Sequence, residues 1–251
     1  MSTTVIRPSP PNRVPMTSLR KTAIVAGAFY LLSFVSIPTL FLYAPIRDPN
    51  YLLSPGPGTG VIWGGVLEMI VALAGIGTAV ALYPVVKRQN QGLALGFVGT
   101  RILEAATIVA GVVIVMTIVT LGQAGAGADA LVTGKALVAM RDWTFLLGQG
   151  FIPAVNALLL GTLLLRSRLV PRILPLVGLV GAPLLVTSVL ATMFGLWDQV
   201  STQSALLTIP IALWEFSLGV YLIVKGFKPA PITAAMAPVR TVPTDRQVVP
   251  V

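Results

Sequence analysis

The chain has no cysteine and no histidine. Without cysteine it can form no disulfide, thiol nucleophile or thiolate metal site. Without histidine it can build no His-based zinc site, bis-histidine haem or Ser-His-Asp hydrolytic triad. Charge is scarce too: Asp, Glu, Lys and Arg make up 10% of the 251 residues, against about 25% in a soluble domain. No GxxxxGK(S/T) run and no strand-associated GxGxxG occurs, so nucleotide binding has no support. No cofactor, metal or catalytic residue is expected, and the chain is read as non-enzymatic.

What is present is apolar surface. Hydrophobic residues make up 55% of the chain, and several runs reach the roughly 20 residues needed to cross a hydrocarbon core of about 30 Å. Six such runs are expected as helices: 22–43, 61–86, 92–121, 143–165, 174–195 and 206–225. The first follows Arg20-Lys21, as a signal peptide would follow its basic segment. It is too long for that role and ends without an A-x-A site, so it is read as an uncleaved first span. The expected fold is an all-α, polytopic bundle of six transmembrane helices over 20–228. Proline-rich, aperiodic tails (1–19 and 229–251) flank it and are read as disordered.

The net charge of +9 follows topology rather than a nucleic-acid surface. With the N-terminus inside, thirteen Lys and Arg fall on the cytoplasmic side, including Arg20, Lys21, Lys87, Arg88, Arg166, Arg168, Arg172, Lys225 and Lys228. Three (Arg47, Lys135 and Arg141) fall outside. This asymmetry places both termini in the cytoplasm. Residues 129–142 carry Leu131, Leu137, Val138 and Met140 at helical spacing and are read as an interfacial helix leading into the fourth span. Trp63, Trp143 and Trp197 fall at outer interfaces. Pro38, Pro153, Pro183 and Pro210 are expected to kink their helices, and the GxxxG spacings Gly60–Gly64 and Gly92–Gly96 to allow close packing. The two halves share no residue pattern, so an inverted repeat is not supported.

The stretch "FVGTRILEAATIVAG" (97–111) breaks the apolar pattern. All three glutamates, Glu68, Glu104 and Glu215, lie within expected spans, as does Arg101. Charges at membrane depth are expensive and usually face the bundle interior, where they pair. Counting helical rise puts Glu68 roughly 10 Å from the outer surface, Glu215 roughly 13 Å, and Arg101 and Glu104 roughly 12–17 Å. Gln149 falls in the same layer. Arg101 and Glu104, at i and i+3, can pair directly. One arginine cannot neutralise three glutamates: all four ionised would leave −2, so at least one carboxyl is expected to hold a proton. Glu68, Arg101, Glu104, Gln149 and Glu215 are therefore the candidate ligand- or proton-binding residues. The alternative is a non-catalytic accessory or structural protein whose polar layer only fixes helix packing. The expected partner is membrane lipid, with no nucleic acid.

A second span carrying Glu68 and ending "LYPVVK" is followed by "TRILEAA" and "RDWTFLLGQG". Beyond them come "LLLRSRLVPRILPLVGLVG" and "PIALWEFSLGVYLIVKGF". In order and spacing these resemble a bacterial family of six-span membrane proteins known only as a domain of unknown function, number 4386. The likeness covers roughly 20–228. It implies six helices in a bacterial plasma membrane, no assigned activity, and recurrent polar positions at Arg101, Glu104, Glu215 and the Arg168–Pro171–Arg172 turn. Many relatives carry a histidine where this chain has Arg141.

Overall fold

The computed structural model describes residues 18–236 except 49, 54, 55 and 126. Most of both expected tails lies outside the described residues. Two edges of the tails differ from expectation: Ser18 and Leu19 are helical, and Pro231–Met236 forms a 3₁₀ turn with Thr233 buried. Ala230 and Ile232 pack on the core there, because two apolar side chains can cover the end of the bundle.

Among the described residues there is no strand. The helices are α1 (Ser18–Leu32), α2 (Thr39–Leu42), α3 (Thr59–Val86), α4 (Gln91–Gln123), α5 (Leu131–Phe145), α6 (Ile152–Ser167), α7 (Ile173–Met193) and α8 (Thr202–Val224). Six helical runs are long and apolar enough to cross a membrane: Ser18–Leu42, Thr59–Val86, Gln91–Gln123, Gly127–Ser167, Ile173–Met193 and Thr202–Val224. The expected interfacial helix is α5, but it runs on into α6, so the fourth span is one helical run of 41 residues. The chain is a multi-pass integral membrane protein.

The six spans form a closed ring in chain order: α1 on α3, α3 on α4, α4 on α5 and α6, α6 on α7, α7 on α8, and α8 back on α1. Short connections make neighbours antiparallel. The α3–α4 link is set by Asn90, whose side chain caps α4 by accepting from Leu93 N at 2.9 Å, satisfying an otherwise unpaired helix-end donor. The ring closes where Gly27 of α1 meets Gly219 of α8. A Cβ added at Gly27 would stand 2.6 Å from the Gly219 carbonyl oxygen, so two glycines let the backbones touch. Arg20 locks the same corner by donating to the carbonyls of Leu222 (3.1 Å) and Ile223 (2.5 Å), which are among the unpaired acceptors at the end of α8. Glu68, Arg101, Glu104 and Arg141 are buried while Leu73, Val80, Leu103, Val113, Val180 and Leu213 lie exposed on the outside, the arrangement that suits a lipid surround.

Two apolar plugs fill the ring. The one nearer the N-terminus contains Tyr30, Leu82, Phe97, Leu160, Leu164, Trp214 and Leu218. The one at the far end contains Tyr43, Ile46, Tyr51, Leu52, Val115 and Ile118. Tyr51 and Leu52 come from the 44–60 loop, which folds back over the bundle instead of standing in solvent.

Two spans break their α-helix between the plugs. After Leu32 the chain tightens into a 3₁₀ turn (Ser33–Ser36). Ser33 donates back to Tyr30 O at 2.6 Å, a side-chain bond that bends helices, and Pro38 cannot continue the ladder. In the fourth span, Pro153 has no N–H to offer the Gln149 carbonyl. The backbone answers with a π-turn over Leu146–Phe151, in which Ile152 N–H reaches Leu147 O. Such insertions recur at functional sites. Pro183 and Pro210 sit within unbroken α7 and α8.

Candidate functional site

Between the plugs the buried charges form two clusters rather than one layer. In the first, Arg101 bridges two helices: one guanidinium nitrogen lies 3.0 Å from Glu104 and the other 2.7 Å from Glu215 of α8. Asn156 of α6 donates to Glu104 at 2.7 Å, and its own oxygen lies 2.5 Å from the Thr100 hydroxyl. Tyr30 and Phe97 hold the guanidinium between them, with ring centres 5.4 and 5.6 Å from its carbon. Desolvated cation–π contacts of this kind contribute up to about 2 kcal/mol.

The second cluster is built on the same plan. Glu68 of α3 accepts from Arg141 of α5 at 2.5 Å, from Gln149 of the π-turn at 3.2 Å and from the Tyr43 hydroxyl at 3.2 Å. Arg141 lies over Tyr43 and Phe145, at 5.4 and 5.2 Å. Tyr43 reaches Glu68 because its ring rests on Gly64, one turn before the glutamate. A Cβ there would come within 2.5 Å of the ring. Gly64 thus seats an aromatic ring, whereas Gly60, Gly92 and Gly96 meet only ordinary contacts.

Arg141 is the main correction to the sequence reading. Counted there among the outer-side charges, it is 6% exposed and paired with Glu68. It enters the bundle because α5 does not end at an interface but delivers its last turn to the polar level. The far end therefore keeps only Arg47 and Lys135 of the three cations assigned to it. Two arginines face three glutamates, so with every group ionised the polar layer carries −1, not −2. Glu68 has a full-charge partner of its own, and the surplus carboxylate belongs to the first cluster. Glu68 and Glu215, read together from their shared depth, share no partner.

The structure thus brings Arg101, Glu104 and Glu215 together, and Glu68 with Gln149. The sequence reading missed Tyr30, Tyr43, Thr100, Arg141 and Asn156. Asn156 had a usable signal: it is an amide in an apolar run, two turns after Gln149. The tyrosines had none, since their hydroxyls matter only once the first span is placed against α3 and α4.

Between the clusters lies a cavity of about 190 Å³ whose walls include Arg101, Glu104, Glu215 and Gln149. It exists because the first span leaves α8 at the Ser33–Ser36 turn and follows α3 instead. Phe34 and Phe216, packed edge to face at 5.5 Å, bridge the gap. A second, more apolar cavity of about 380 Å³ lies toward the far end, walled by Phe41, Tyr43, Arg141 and Phe145. Tyr43 and Arg141 face one cavity and Gln149 the other, so the second cluster stands between the two.

No curated protein and no solved structure was found to match the chain. A family model described as Domain of unknown function (DUF4386) matches residues 25–226, a span that takes in every helix from α3 to α8, both ion clusters and both cavities. With most of the sequence matched, and six membrane-length helices as the resemblance implied, the chain belongs to the DUF4386 family.

Proposed function

We propose that this protein binds a proton or small molecule in the central cavity and exchanges it with the far side of the membrane. The observation that carries the reading is the cavity itself: space at membrane depth, walled by an arginine and two carboxylates that leave one negative charge over. A bundle that needed these groups only for register would be expected to pack them without a void, since interiors lose contact energy at every gap. The apolar plug around Trp214 and Phe97 closes the N-terminal side. The far-end cavity and the Glu68–Arg141 cluster offer the route in, with that cluster as its plug. The charge asymmetry, with Arg20, Lys21, Lys87, Arg88, Arg166, Arg168 and Arg172 at the N-terminal end, supports an orientation with both termini cytoplasmic, in the bacterial plasma membrane that the family resemblance implies. The far side is then the cell exterior. The role is one of binding and exchange, not catalysis.

The full pairing of Glu68, with three donors on one carboxylate, favours a second reading, in which the clusters only fix helix packing. Infrared difference spectra across a pH step separate the two. The binding reading expects a carboxyl C=O band that appears and disappears reversibly in the folded protein and is lost when Glu104 and Glu215 are both replaced by glutamine. A folded protein with no titrating carboxyl band would support the packing reading instead.

A further inference from the structure

Resting on the proposed binding role of the central cavity, we infer that its ligand is a small alkylammonium cation. Hydrogen-bond acceptors outnumber free donors on the cavity wall. Ser33, Ser36 and Thr208 line the cavity, and each hydroxyl donates its only proton to a backbone carbonyl of its own helix: Tyr30 O at 2.6 Å, Ser33 O at 3.2 Å and Ser204 O at 2.8 Å. A hydroxyl has one proton and two lone pairs, so what these residues offer the cavity is acceptor oxygen. The Gln149 amide gives one of its two protons to Glu68, which leaves one N–H and its carbonyl oxygen. Glu104 and Glu215 are acceptors when ionised. Arg101 is the only cation on the wall. Three of the four protons on its terminal nitrogens go to Glu104, Glu215 and Tyr30, and its Nε–H is buried with no partner among the described residues.

The polar wall therefore offers more acceptors than free donors, and it carries one surplus negative charge. Its complement is a monovalent cation with N–H donors. The rest of the wall is apolar, with Val71, Ala72, Ala105, Ile108, Leu185 and Ile211. That favours an ion with a hydrocarbon part over a bare metal ion, which demands oxygen on all sides. At about 190 Å³, against roughly 10–15 Å³ of such space for one water, the cavity takes a cation of several heavy atoms.

The test uses ethylammonium as the probe, with tetramethylammonium and sodium for comparison, on the full chain in nanodiscs. Ethylammonium should raise the melting temperature in a saturable way and perturb the carboxylate infrared bands. Tetramethylammonium, which has the charge but no N–H, should do so at least tenfold more weakly. Thr208→Val keeps the side-chain shape, removes one acceptor, and should weaken ethylammonium about three- to tenfold, as for one lost hydrogen bond. Equal responses to ethylammonium, tetramethylammonium and sodium would overturn the inference, as would none at all. The carboxyl band of the same samples shows which idea has failed: if it titrates without any amine response, only the ammonium assignment falls. If it does not titrate either, the binding role falls with it.

Discussion

Arg101→Ala is expected to lower the stability of the folded protein by about 3–5 kcal/mol, the usual cost of leaving buried charge unpaired. The effect belongs at the top of that range because this guanidinium serves two carboxylates on two helices, at 3.0 and 2.7 Å, and fills the space between Tyr30 and Phe97. Its loss strands Glu104, leaves Glu215 against the cavity, and removes the tie between α4 and α8. Reversible unfolding in mixed micelles measures the loss, with Leu103→Ala, a change at a 54% exposed position on the same helix, as the reference. Arg101→Met alone should be nearly as damaging. Adding Glu104→Gln and Glu215→Gln should recover much of the loss, since replacing all partners of a buried ionic group is far cheaper than removing one. If Arg101→Ala unfolds like Leu103→Ala, Arg101 and its two carboxylates do not form an ionised cluster.

The second large effect is expected at Arg141. Glu68 is 1% exposed, and Arg141 is its only cationic partner among the described residues. Arg141→Ala should therefore also cost about 3–5 kcal/mol, although the residue lies just before the run that the sequence marks as the fourth span. Glu68→Gln in the same background should restore most of the stability. A loss below about 0.5 kcal/mol, typical of surface sites, would place Arg141 back outside the bundle. The two arginines share no partner, so their effects should add to within about 0.5 kcal/mol.

Six membrane-length apolar runs were legible in the sequence because a bilayer sets helix length. The third span was read as 92–121 and is Gln91–Gln123. The breaks were less legible. A proline marks a defect in the helix ladder but not its form: Pro153 gives a π-turn that carries the helix on, whereas Pro38 closes a 3₁₀ break that opens a cavity. For the site, counting helical rise gives each residue a depth but no direction around the helix axis. Depth alone grouped Glu68 with Glu215. The ring order turns Glu68 toward α5 and Glu215 toward α4, and so divides one apparent layer into two clusters. Arg101 and Glu104 were readable as a pair because one helix supplies both. The Arg141–Glu68 pair spans 73 residues and required knowing that α5 belongs to the fourth span.

That water and small solutes reach the central cavity is the claim on which the functional account turns, and the absence of native cysteine makes it directly measurable. Ala212 of α8 lines the cavity, and the adjacent Leu213 is 56% exposed on the outer face. Single cysteines at the two positions should differ sharply toward a small water-soluble thiosulfonate, since only a hydrated thiol ionises and reacts. The account predicts that Ala212→Cys is modified in the folded protein, with added ethylammonium slowing the reaction, while Leu213→Cys stays inert in lipid. An Ala212→Cys protein as unreactive as Leu213→Cys would mean a cavity closed to water, and would contradict the account.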